Sequence, residues 1–215
     1  MQRAYTSDRL KYLLHSPSDD SAELPLILFL HGSGERGDDP QLVKKWGLPR
    51  ELETRPDFPF LVLSPLCPAN KRWIDLDAEV TSLLEEVIVK YAVDRSRIYL
   101  TGFSMGGEGT WFFAVEHPEL WAAVAPVAGY IPAESAIFKR LCVLKDKPIW
   151  VFHGAADEAV SLSGSQTPVE ILRECGADVR FTVYPDLDHG ASADETYRND
   201  NLYAWFLEHA LAAKL

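Results

Sequence analysis

The segment Gly102-Phe103-Ser104-Met105-Gly106, with Gly107 behind it, sets one hydroxyl between glycines at a spacing suited to nucleophilic chemistry. An apolar run at 97–101 precedes it and a helix-like segment follows, so Ser104 is expected on a sharp strand-to-helix turn. A turn that pushes a hydroxyl into a cleft needs strained backbone, and side chains two residues to either side would collide. Glycine relieves both constraints. A serine hydroxyl attacks a carbonyl only when a positioned base takes its proton, and a carboxylate usually orients that base. In a chain of alternating strands and helices the acid and then the histidine follow the serine.

His189 and His209 lie late enough to be the base. His209 falls beside the apolar side of the terminal helix, an ordinary packing position, whereas His189 is expected in a loop after the last strand with Gly190 next to it. For the acid, Asp157 follows a buried strand by a short turn; its bland reading is a turn or helix cap. Glu158 should point elsewhere, and Asp186 and Asp188 stand too near His189 in sequence. Attack on an ester also builds negative charge on the carbonyl oxygen, and each backbone donor aimed at it is worth about 3 kcal/mol. Met105, one residue after the nucleophile, would supply one N–H; Ser33 would supply the second, with Gly34 as the other choice. His31 and His153 read as buried residues that brace their loops.

Positioning such groups requires a frame, and the apolar runs supply one. Strands are expected at 10–15, 24–30, 58–66, 97–101, 122–128, 147–152 and 179–184, and a turn cluster at Ser16-Pro17-Ser18-Asp19-Asp20. Between them fall a short helix at 41–46 and an amphipathic helix at 75–91, on which Leu76, Val80, Leu83, Leu84, Val87 and Tyr91 recur at helical spacing. Further helices should end at His117-Pro118, run from 164 to 175 until Gly176 stops it, and close the chain with Leu202, Tyr203, Phe206, Leu207 and Ala210 on one face. Alternation of this kind implies parallel βαβ units with helices on both faces of one twisted sheet. Reacting groups then gather beyond the carboxyl ends of the strands, where the loops carrying Ser33, Ser104, Asp157 and His189 fall.

At 215 residues with 47% hydrophobic and 25% charged side chains, the chain has ordinary globular usage and is expected to form one domain, 1–215. Its 21 basic against 32 acidic residues give a net charge of −11, which argues against nucleic acid and anionic membranes as partners. Cys67, Cys142 and Cys175 show neither a CxxC pair nor metal-ligand spacing, and so read as free thiols in a reducing compartment. Residues 1–6 carry no apolar leader and no stretch has membrane-span length. A cytoplasmic location is expected, an exported origin staying open where a signal peptide has been removed.

Taken together, the stretches 31–39, 102–107, 153–160 and 188–189 resemble the α/β-hydrolase superfamily, in particular its phospholipase/carboxylesterase and dienelactone-hydrolase-like group of small esterases. The resemblance covers the chain from Leu24 onward. It implies Ser104 as nucleophile, Asp157 as acid, His189 as base, Ser33 and Met105 as oxyanion donors, and no metal or organic cofactor. Two departures stand out. Dienelactone hydrolases carry cysteine at the nucleophile, and in the most similar branch the histidine is commonly followed by a short segment ending in tryptophan. Here Gly190-Ala191-Ser192-Ala193 has no aromatic; Trp73, Phe103 and Tyr130 are the candidate replacements.

Lipases of this superfamily often insert a lid domain where this chain has only residues 130–146. The expected function is therefore hydrolysis of soluble short-chain or aryl carboxylic esters through an acyl-enzyme, with a small-molecule ester as partner. Acyl-peptide or oligopeptide hydrolysis is the second enzymatic reading, and a non-catalytic binding module the third.

Overall fold

The computed structural model describes residues 1–17 and 23–212. Eight strands form one sheet: β1 (Gln2–Thr6), β2 (Lys11–His15), β3 (Leu24–Leu30), β4 (Leu61–Pro65), β5 (Val93–Phe103), β6 (Ala123–Val127), β7 (Ile149–Gly154) and β8 (Val179–Tyr184). Their spatial order is β1-β2-β4-β3-β5-β6-β7-β8. The pairs from β4 through β3 and β5 to β8 are all parallel, whereas β1 and β2 add an antiparallel edge. The fold is thus the expected mostly parallel α/β sheet, with β1 as an unforeseen strand. Its residues are all exposed or half-buried and pair on one side only, so no apolar run marks it. Ser18, Asp19 and Asp20 of the expected turn cluster lie outside the described residues.

Continuous apolar runs such as Leu26 to Leu30 are buried because both sheet faces are covered. On one face pack α2 (Asp77–Lys90), α3 (Met105–Glu116) and α4 (Ser163–Glu174); on the other lie α1 (Leu48–Glu51), α5 (His189–Arg198) and α6 (Asp200–Leu207). Helix α2 buries Val80, Leu83, Leu84 and Val87 as its periodicity predicts, with Asp77 and Glu79 at its positive end and Lys90 at its negative end. It begins later than residue 75 because Trp73–Asp75 makes a separate 3-10 turn, closed where the Arg72 backbone N–H donates to the Asp75 carboxylate. Gly176 ends α4 at φ 86°, and the N–H groups of Gly176 and Ala177 return to the carbonyls of Arg173 and Leu172. That 6→1 and 5→2 pairing satisfies orphan carbonyls of the last turn.

Three expectations need correction. His189 is not in a loop: it is the first residue of α5, capped by Asp188, whose carboxylate accepts from the Ala191 N–H at 2.8 Å. On α6 the buried side chains are Leu202, Tyr203, Trp205 and Phe206, while Leu207 faces solvent and Ala210 lies past the helix end. Nor are all the cysteines free. Cys142, on the 3-10 helix Ala136–Leu144, bonds to Cys175 at the end of α4, and Cys67 alone is a free, buried thiol. Disulfides persist in oxidising surroundings, so the compartment argument built on three free thiols falls. No described helix is long and apolar enough to cross a membrane.

Candidate active site

Three registers bring the singled-out residues to one edge. Leu30 pairs with Gly102, Phe103 with Val127, and Gly154 with Tyr184, so the loops leaving β3, β5, β7 and β8 at their carboxyl ends converge. Between β5 and α3, Ser104 has φ 59° and ψ −117°, a conformation that costs a non-glycine residue about 1–3 kcal/mol. Its N–H is held by the Val127 carbonyl at 3.0 Å. A Cβ on Gly102 would collide with the Gly106 carbonyl, and one on Gly106 with the Leu30 carbonyl, so α3 can start this close to the sheet only with glycine at both places.

At the tip of this turn the Ser104 Oγ lies 2.9 Å from His189 Nε2, and His189 Nδ1 lies 2.6 Å from Asp157 Oδ2. Because the carboxylate only accepts, Nδ1 carries the imidazole proton and Nε2 is free to accept from the serine hydroxyl. The other oxygen, Asp157 Oδ1, accepts the backbone N–H groups of Ala159 and Val160 at 2.9 and 2.8 Å. Asp157 thus caps its own turn through one oxygen and meets the His189 imidazole through the other. Phe103 packs its ring 4.6 Å from the imidazole, centroid to centroid, and limits its rotation. Met105 and Ser33 each open a helical turn, so neither N–H has an acceptor within its own first turn. An oxyanion could take both.

His31 shapes the loop that carries Ser33. Its Nδ1–H donates to the Gly32 carbonyl at 2.6 Å and its Nε2 accepts from the Cys67 N–H at 3.0 Å, so the neutral ring is fully used. Burial pushes its pKa from 6.5 down to about 4. The unfolded chain binds a proton there that the folded chain refuses, so this contribution is complete above pH 6.5 and is lost as pH falls towards 4. The loss amounts to about 3 kcal/mol. Urea midpoints measured across that range should fall with acidification, and His31→Gln should flatten the slope; an equal slope in the variant would remove His31 from the account.

Two clefts leave Ser104 in different directions. The first, about 690 Å³, runs past Phe103, Trp46, Lys45, Glu158 and Asp188; the second, about 710 Å³, runs past Met105, Tyr130, Arg36, Arg72 and Ser161. Ser33 and His189 border both. Of the three aromatic candidates, Phe103 and Tyr130 therefore line the clefts, but Trp73 does not. Its ring is fully buried and its Nε1–H donates to the His31 carbonyl at 2.9 Å, which makes it a core brace for the same loop.

Several side chains at the site carried no local signal. Trp46 packs so close to Gly190 that a Cβ there would sit 3.1 Å from its ring; a tryptophan thus stands beside His189 after all, delivered from the loop before α1. Arg72 donates to the buried Glu108 carboxylate and to the Tyr130 hydroxyl, both at 2.5 Å. Burial raises the Glu108 pKa and Arg72 pulls it back. The clue to Arg72 was positional: it follows β4, whose carboxyl end lies at the same sheet edge.

A parallel sheet that gathers a hydroxyl, a carboxylate and an imidazole beyond the carboxyl ends of β5, β7 and β8 defines an α/β hydrolase. The chain belongs to the phospholipase/carboxylesterase family, whose model matches residues 69–198, and it is a carboxylesterase-type enzyme. A probable carboxylesterase of Oryza sativa subsp. japonica is 27% identical over 87% of this chain and 79% of its own length. Lysophospholipase-like protein 1 of Mus musculus is also 27% identical, over 84% of this chain and 85% of its own. Among solved structures, a thermostable esterase superposes with a TM-score of 0.81 at 31% identity, covering 98% of this chain and 63% of that one.

Proposed function

We propose that the protein hydrolyses soluble short-chain or aryl carboxylic esters through an acyl-enzyme on Ser104. The observation that carries this reading is the unbroken hydrogen-bond chain from Ser104 through His189 to Asp157. His189 Nε2 takes the proton from Oγ as the oxygen bonds to the ester carbon, and Asp157 stabilises the imidazolium that results. The tetrahedral oxyanion is held by the N–H groups of Ser33 and Met105. Imidazolium then returns the proton to the leaving alkoxide, and water repeats the cycle to release the acid and free the serine. Hydroxyl, imidazole, carboxylate and backbone donors complete this scheme, so it calls for no metal or organic cofactor.

The substrate class follows from access. Both clefts are open, and between β6 and β7 the chain has room only for the 3-10 helix Ala136–Leu144 and its flanks. Family membership supports ester hydrolysis, and the open edge favours a dissolved ester over a dispersed lipid. A panel of p-nitrophenyl acetate, butyrate and laurate, aryl cinnamate esters, emulsified triglyceride and peptide anilides tests this. The short and aryl esters should give the highest kcat/KM. Faster turnover of the emulsion would overturn the substrate class, and faster turnover of the anilides would turn the assignment to a peptidase.

A further inference from the structure

The Asp157 carboxylate touches two imidazoles, and the scheme above uses one. His153, at the end of β7, is fully buried, and its Nε2 lies 3.2 Å from the same Oδ2 that receives His189 Nδ1. That Nε2 also lies 3.0 Å from the Val160 carbonyl, while Nδ1 lies 2.7 Å from the Ser165 hydroxyl. A carbonyl can only accept, so Nε2 carries the proton; burial lowers the pKa of the ring, and neutral Nδ1 then accepts from Ser165.

We propose that His153 is a positioning residue of the reaction: its Nε2–H, shared between Val160 and Asp157, fixes the direction and basicity of the carboxylate that orients His189. This rests on the esterase reading above. Four donors surround the acid: two backbone N–H groups on Oδ1, and one N–H from each imidazole on Oδ2. The oxygen that meets His189 would otherwise be held on that side by His189 alone. Ser165, which gives its one hydroxyl proton to Nδ1, ties His153 in turn to α4, so the acid is set by more than its own turn. His153 keeps its proton throughout; the proton that moves is the one between Ser104 and His189. With the His153 donor removed, the carboxylate is more basic and holds the imidazolium of His189 more tightly, so a larger share of His189 is unable to act as base at moderate acidity.

The charged groups that line the two clefts beside His189 are Glu35, Lys45, Glu158 and Asp188 on one side and Arg36 and Arg72 on the other. They are common to every variant compared, so a shift between variants reports on position 153. The test is the pH profile of kcat/KM for p-nitrophenyl butyrate with wild type, His153→Leu and His153→Gln, each checked for fold by circular dichroism. His153→Leu should lose roughly tenfold, in kcat and not KM, the scale seen when a hydrogen-bond partner that orients a functional histidine or carboxylate is removed at metal centres. Its acid limb should move to higher pH by about half a unit. His153→Gln, which keeps an amide N–H near the place of Nε2, should restore both.

A folded His153→Leu with the wild-type profile would overturn the proposal, as would a rate loss that His153→Gln shares without any shift of the limb. Should His153→Leu not fold, Ser165→Ala decides: a limb moved in the same direction supports the proposal, and an unmoved limb overturns it. Absence of ester turnover in the wild type would sink the esterase reading together with this inference, whereas wild-type turnover with unmoved limbs would sink this inference alone.

Discussion

Alanine at position 104 should lower ester turnover by on the order of 10⁶ while leaving the chain folded. Ser104 contributes no side-chain cap to α3, and its hydroxyl bonds to His189 at a partly buried site, so removing it leaves the core untouched. In the proposed scheme, what disappears is the atom that forms the covalent bond. His189, Asp157 and the two N–H donors remain, and their positioning and oxyanion binding should sustain a residual acceleration of about 10³–10⁴ over water. The strained backbone at φ 59° persists in alanine, so thermal stability should change little. The measurement is initial rates on p-nitrophenyl butyrate, with circular dichroism as the control. A folded variant within tenfold of wild type would show that another residue forms the bond.

Asp157→Asn should cost about 10⁴ in kcat, less than loss of the serine but far more than loss of one ordinary hydrogen bond. The two oxygens of Asp157 have different partners, and this difference decides how an amide would sit. Oδ1 faces two backbone donors, Ala159 and Val160, which demand an oxygen. The amide nitrogen must then face both His189, where Nδ1 now has to accept from it, and His153, whose Nε2–H keeps only its bond to the Val160 carbonyl. That tautomer puts the ring proton on Nε2, pointing at Ser104, and a protonated Nε2 cannot take the serine proton. The variant should fold, because the turn bonds are kept. Turnover within tenfold of wild type would mean that the carboxylate charge and tautomer control are dispensable.

Much of this site was legible in the residues because its parts are local. Gly102 and Gly106 mark the close approach of α3 to the sheet, and the apolar runs of β3 and β5 mark strands covered on both faces. Ser104, Asp157 and His189 each follow the carboxyl end of a parallel strand within a few residues, so the topology brings them to one edge. The helix that begins at His189 was missed although Asp188 is a good capping residue, because Gly190 in the first turn disguised it. What escaped is set by contacts distant in sequence. Cys142 and Cys175 are 33 residues apart and meet only when α4 packs beside the 3-10 helix. Trp46 reaches Gly190, and Arg72 joins Glu108 to Tyr130, through the convergence of separate loops. Trp73, by contrast, has the composition of a pocket residue and the position of a core one.

The most direct test of the account is mass spectrometry of the intact protein after treatment with a fluorophosphonate, followed by peptide mapping. The account predicts one adduct per chain, on Ser104, formed quickly by wild type, slowly by Asp157→Asn and not at all by Ser104→Ala. Ester turnover that persists without an adduct, or an adduct on any residue other than Ser104, would contradict it.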